Sequence, residues 1–119
     1  MVPGYIIYRS DMMPFYELRQ YKILPGKMPE WIDFMENKII PFQVSKGAVI
    51  CGSFCGEEDD SVYFWIRRFE NEVERERLYE AVYQSEFWIN EVTPIVTKLI
   101  DREAIQVQRV NPTRMSTMQ

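Results

Sequence analysis

Residues 15–24, FYELRQYKIL, run straight into Pro25-Gly26-Lys27 and carry a carboxylate, a guanidinium and a phenol at every second position. Alternation along a strand sends Glu17, Arg19 and Tyr21 to one face, beside Phe15. A strand inside a small domain has two uses for inward charges. In one, Arg19 binds an anionic substrate while Glu17 or Tyr21 moves a proton, a buried carboxylate of raised pKa being a standard general base. In the other, the charges form a structural ion pair with a tyrosine hydrogen bond, because buried charge is tolerated only when paired.

Further candidates lie downstream. Tyr63, Trp65 and Arg67 share one face of a second aromatic strand. They can stack and orient an aromatic ligand, or make a cation–π contact in an interface. Arg75 and Arg77 sit early in a helix, in reach of a pocket or paired with Glu74 and Glu80 on a solvated face. Trp88 reads as a pocket wall or a core anchor. Histidine is absent. That removes imidazole ligation of haem, zinc or non-haem iron and a histidine base, so no metal and no cofactor is expected. Cys51 and Cys55 on one strand stand roughly 13 Å apart, too far for a disulfide, and read as small core or interface thiols. Glu57-Glu58-Asp59-Asp60 reads as a solvated turn, with a weak cation site as the alternative.

The elements that must position these side chains follow from composition and punctuation. The chain has 119 residues, 46% of them hydrophobic, enough for one domain with a core. A net charge of −4 argues against a nucleic-acid groove. No apolar run approaches the ~20 residues of a membrane span, and the expected compartment is the cytoplasm. Residues 1–13 read as an extension, 14–111 as the domain and 112–119 as a loose polar tail.

Strand 15–24 ends at Pro25-Gly26. A helix over 27–46 carries the stripe Trp31, Phe34, Met35, Ile39 and Phe42, with Pro41 as its stop or kink and Gly47 as its cap. Strands at 48–56 and 62–69 form a hairpin. Asn71 caps a helix to about Gln84, Ser85 caps a continuation bent by Pro94, and a strand over 103–110 ends the domain. The order β-α-β-β-α-β is the ferredoxin-like plan, an α+β fold with a four-stranded antiparallel sheet and its helices on one face. Tyr63-Phe64-Trp65-Ile66 is apolar on both faces, so the bare face needs a cover, and a two-fold homodimer provides one.

Four features together resemble the NIPSNAP family of the dimeric α/β-barrel superfamily: Tyr16-Glu17-Leu18-Arg19-Gln20-Tyr21 with its Pro-Gly-Lys turn, Trp65, the run Glu74-Arg75-Glu76-Arg77, and Ser85 three residues before Trp88. The resemblance spans about Phe15 to Val110. Arg67 departs from it, standing where an aromatic residue is expected. The resemblance implies the ferredoxin-like fold and a barrel dimer. The superfamily includes cofactor-free monooxygenases, haem-degrading oxygenases, chlorite dismutases and isomerases, and fold alone does not choose among them. Two functional expectations result. One is a cofactor-independent oxygenase or isomerase on a small aromatic or enolisable acid. Arg19 and Arg67 would hold the anion, Glu17 or Tyr21 the proton and Trp65 the ring, with Tyr63, Arg75 and Trp88 as further substrate contacts. The other is a non-enzymatic ligand-binding or interaction module whose charged strand stabilises the dimer.

Overall fold

A computed structural model describes residues 13–119. The extension expected at 1–13 therefore lies outside the described residues except for Met13. The strands are β1 (Phe15–Ile23), β2 (Val49–Cys55), β3 (Val62–Phe69) and β4 (Ile100–Val110). They form one antiparallel sheet in the order β2-β3-β1-β4. Three helices cover one face: α1 over 28–45, α2 (Glu72–Tyr83) and α3 over 86–99. This is the expected α+β plan. Register sets the chemistry of the covered face, for Glu17 lies opposite Arg67, Arg19 opposite Trp65, and Tyr21 opposite Tyr63.

Neither internal proline stops its helix. In α1 the α-helical turns Met28–Phe34 and Ile40–Ser45 flank a π-helical turn, Met35–Ile39. In α3 a π-helical turn, Trp88–Val92, precedes the α-helical Thr93–Leu99. Pro41 and Pro94 each follow their π turn by two residues. In a regular helix each ring would strike the carbonyl four residues back, Asn37 or Asn90. Both carbonyls belong to the wider turns, which make room for the ring. The widening also shifts the buried stripe of α1. Trp31, Met35, Ile39 and Gln43 are buried at steps of four, whereas Phe34 and Phe42 are only half-buried.

Local signals elsewhere act as expected. The Asn71 side chain accepts from the Glu74 amide at 2.8 Å to open α2. The Ser85 hydroxyl accepts from the Trp88 amide at 3.1 Å. Gly47 closes α1 at φ +103°, where a side chain would be strained. β4 begins at Ile100, three residues earlier than the sequence suggests, because α3 passes into the extended strand directly at that residue.

The covered face holds two hydrophobic clusters. The larger joins Tyr21, Trp31, Met35, Tyr63, Trp65 and Val92, and the smaller joins Phe15, Ala48, Phe69 and Leu78. On the opposite face Leu18, Phe64 and Ile66 are half-buried, while Phe54 packs on Phe64 at 6.2 Å between centroids and remains 54% exposed. The tail is not loose. It crosses part of this face, and the Gln119 carbonyl accepts from the Tyr16 hydroxyl at 3.1 Å and from Arg68 Nε at 2.7 Å. Both cysteines are free and exposed, so neither is a core thiol in this chain, since edge strand β2 leaves them uncovered.

Candidate functional site

Glu17 is fully buried at the centre of a cationic shell. Its Oε1 accepts from Arg67 at 2.8 Å and its Oε2 from Arg75 Nε at 2.9 Å. The Tyr79 hydroxyl lies 2.8 Å from both oxygens, and Arg19 stands 3.7 Å away. Four chain segments meet here, because β1, β3 and α2 supply these groups and α1 supplies Gln43, whose Oε1 accepts from Arg67 at 2.8 Å. Burial by itself would raise the Glu17 pKa; Arg67, then Arg75, Tyr79 and Arg19, outweigh it and hold the carboxyl below its ordinary value. The raised carboxyl pKa expected for a general base is thus reversed, and for a reason invisible in β1 alone.

Arg67 is engaged at its terminal nitrogens, while its Nε and the Nε2 of Gln43 are buried without a partner among the described residues. The two terminal nitrogens of Arg67 donate to Glu17, Gln43, Tyr79 and Tyr83, and its guanidinium lies over the Trp65 ring at 4.8 Å. Arg75 does not pair with Glu74 and Glu80 on a solvated face. It turns inward to Glu17 and stacks at 4.1 Å over Tyr79.

Beside this knot, between sheet and helices, lies a cavity of about 280 Å³. Six rings line it: Tyr21, Trp31, Trp65, Tyr79, Tyr83 and Trp88. The π turns contribute Met35 and Ile39 from α1 and Trp88 from α3. Arg19 and Arg102 bring positive charge to the wall, and among the described residues no carboxylate belongs to it. The Tyr21 hydroxyl accepts from Arg19 Nε at 2.8 Å and from Trp65 Nε1 at 3.0 Å. Burial raises the Tyr21 pKa, and that of Tyr79 to about 12, so both phenols keep their protons near neutrality. Trp31 Nε1 is buried without a partner among the described residues.

Of the residues singled out in the sequence, Arg19, Tyr21, Trp65 and Trp88 therefore meet at the cavity. Glu17, Arg67 and Arg75 form the knot behind it. Tyr63 packs against Tyr21 and Trp31 and shares a 2.5 Å hydrogen bond with Ser53, with its pKa raised to about 12 by burial. Sequence reasoning missed Tyr79, Tyr83 and Arg102. The two tyrosines sit four apart on α2, a signal that was available. Arg102 was hidden by placing the start of β4 too late.

Among the described residues no cluster of three or more His, Cys, Asp or Glu side chains could hold a metal. The acidic loop is a turn in which Asp59 accepts from the Ser61 amide and hydroxyl. No described helix is long and apolar enough to cross a membrane.

The NIPSNAP family model matches residues 16–116, most of the chain. The chain belongs to the NIPSNAP family. Solved NIPSNAP structures share its fold. A family protein of unknown function from Agrobacterium tumefaciens superposes with TM-score 0.80 at 22% identity, covering 95% of this chain and 100% of that one. A second protein of the family from the same organism gives 0.79 at 20% identity, over 89% and 99%. An uncharacterised NIPSNAP-like domain protein from Burkholderia xenovorans gives 0.78 at 19%, over 88% and 90%. No curated protein matches. At these identities the likeness is one of fold, and the chemistry must be argued from this chain's own side chains.

Proposed function

We propose that this NIPSNAP protein is a homodimer that binds a small aromatic or enolisable acid in the cavity of each protomer. Arg19 supplies the counter-charge, Tyr21 a polar contact, and Trp65 and Trp88 pack the ring. The observation that carries this reading is the wall itself, which among the described residues has six rings and two arginines with no carboxylate. Such a wall favours a flat apolar body bearing negative charge and disfavours cations. The part of the outer sheet face around Phe54, which is 54% exposed, supports the homodimer, since a second copy covers an apolar face most simply.

The knot serves this site as its floor. Glu17 pairs with Arg67 and Arg75 and so ties β1, β3 and α2 together, so that Arg19 and Tyr21 present a fixed edge. A second reading, a cofactor-independent oxygenase or isomerase on the same ligand, is favoured by the place of Tyr21 in the wall. In that reading Tyr21 takes the role at the reacting oxygen, and Glu17, locked as counter-ion, does not.

A thermal-shift screen of aromatic acids, phenols and 2-oxo acids against wild type and Arg19→Met tests the binding reading. Binding to the folded state raises Tm by mass action. Hits that vanish in a folded Arg19→Met protein support it. No hits across the screen, with Arg19→Met strongly destabilised, would assign the whole polar strand to structure. Light scattering of wild type and Phe54→Asp tests the homodimer, which the substitution should dissociate.

A further inference from the structure

Between β1 and β4 the register breaks, and it breaks beside the cavity. Gln20 lies opposite Gln106 and Lys22 opposite Asp101, so Tyr21 alone on β1 faces residues 102–105 of β4. None of those residues has a partner in β1. β4 is an edge strand, and an edge can hold such a bulge because no further strand has to follow it.

The bulge changes which side chains face the helices. Before it, Ile100 lies opposite the buried Ile23; after it, Val107 lies opposite Arg19 and Arg109 opposite Glu17. Even-numbered residues thus face the helices before the bulge and odd-numbered ones after it. In a regular strand, residues three apart point to opposite faces. Arg102 and Ile105 are three apart, yet both line the cavity, because the phase changes between them. Their places in the wall differ. Arg102 is exposed and stands at the rim, whereas Ile105 is half-buried and packs on the larger hydrophobic cluster.

A side chain outside the wall secures this path. Asp101 Oδ1 accepts from the Glu103 amide at 3.1 Å, a local Asx-type turn that folds the chain over at Arg102. The other wall residues of the sheet, Arg19, Tyr21 and Trp65, come from β1 and β3, which have a strand on either side. Residues 102–105 lack that support, so the turn at Asp101 and the packing of Ile105 carry more of the burden of placing them.

We propose that the β4 bulge is the size gauge of the cavity: Ile105 limits the ring system it admits, and Asp101 is the positioning residue that holds the bulge in place. This rests on the binding reading above and goes beyond it by naming what sets ligand size.

The test measures the affinities of benzoate, 2-naphthoate and 2-anthracenecarboxylate by isothermal calorimetry and reads their ratios. Ile105→Ala should shift the preference toward the largest acid by about tenfold, as methylene-sized changes in an apolar pocket do. Ile105→Phe should shift it toward benzoate. Asp101→Ala, which changes nothing in the wall, should move the preference the same way as Ile105→Ala by about fivefold, the worth of one hydrogen bond. Asp101→Asn keeps an acceptor for the Glu103 amide and should retain the wild-type ratios. If Ile105→Ala does not fold, Ile105→Val decides, with a smaller shift in the same direction. Ratios unmoved by the Ile105 substitutions or by Asp101→Ala overturn the proposal. So does an equal shift in Val96→Ala, which truncates the wall on α3 instead, and so does an Asp101→Asn protein that behaves like Asp101→Ala. In each of those cases the acids still bind and the binding reading stands; if none of them binds wild type, both fall.

Discussion

Two ends of one strand face do opposite things. At the Glu17 end of β1 the carboxylate is answered on both oxygens by Arg67, Arg75 and Tyr79 within 2.9 Å, although Arg67 Nε and Gln43 Nε2 are buried there without a partner among the described residues. At the Tyr21 end, on the same face, the polar atoms are answered only by half. The tyrosine oxygen is saturated as an acceptor and its proton is left over. Arg19 lies between and belongs to both ends, 3.7 Å from the carboxylate and 2.8 Å from the phenol. A carboxylate answered on both oxygens makes structure, and a phenol proton left over beside a cavity makes a binding site. The charges that first draw the eye in this sequence divide along that line.

Glu17→Ala breaks the closed end and should have the largest effect. It leaves Arg67 buried without its counter-ion, and removing one partner of a buried pair costs about 3–5 kcal/mol. Urea unfolding measures this, and a loss under about 1 kcal/mol would mean the knot is not what holds the strands. Acid titration probes the same end without mutation. The folded Glu17 pKa lies below its ordinary 4.5, so its stabilisation is complete above that value and is lost as pH falls through the lower, folded one. Wild-type Tm should therefore fall more steeply below pH 4.5 than that of Glu17→Gln, which cannot titrate there; parallel curves would remove the charge argument.

Arg19→Met tests the shared residue. It should weaken ligand binding at least about tenfold, ~1.4 kcal/mol, and cost less stability than Glu17→Ala. The reverse ranking would place Arg19 wholly in the knot. Arg102→Gln should have the smallest effect, a weakening of about threefold that disappears in high salt, because this exposed charge is screened. Isothermal calorimetry at two salt concentrations would show it.

Much of this was legible beforehand. Period-two spacing put Glu17, Arg19 and Tyr21 on one face, and the punctuation at Pro25-Gly26, Gly47 and Asn71 delimited the elements well. What could not be read is long-range. Glu17 acquires its partners from residues 50 and 58 positions away, so whether its pKa rises or falls depends on register and helix phase. Gln43 is another case. A polar residue one step off the expected stripe became buried because the helix widened upstream. The core reading of the cysteines failed for a related reason, since β2 proved to be an edge strand.

The widened turns deserve a last consequence. Measured against an α-helix of equal rise, a π turn carries one surplus residue. Helices α1 and α3 each have such a surplus, and Met35, Ile39 and Trp88 of the wall lie within it. The hollow can thus be described as a counting difference, one residue too many on either side of a shared space, with Pro41 and Pro94 standing guard against the helices tightening to regular pitch. Shortening each helix by its extra residue would rotate these walls relative to the sheet while leaving the strand order intact. In this architecture, the shape of the ligand site can change by insertion and deletion in helices without any residue of the sheet being touched.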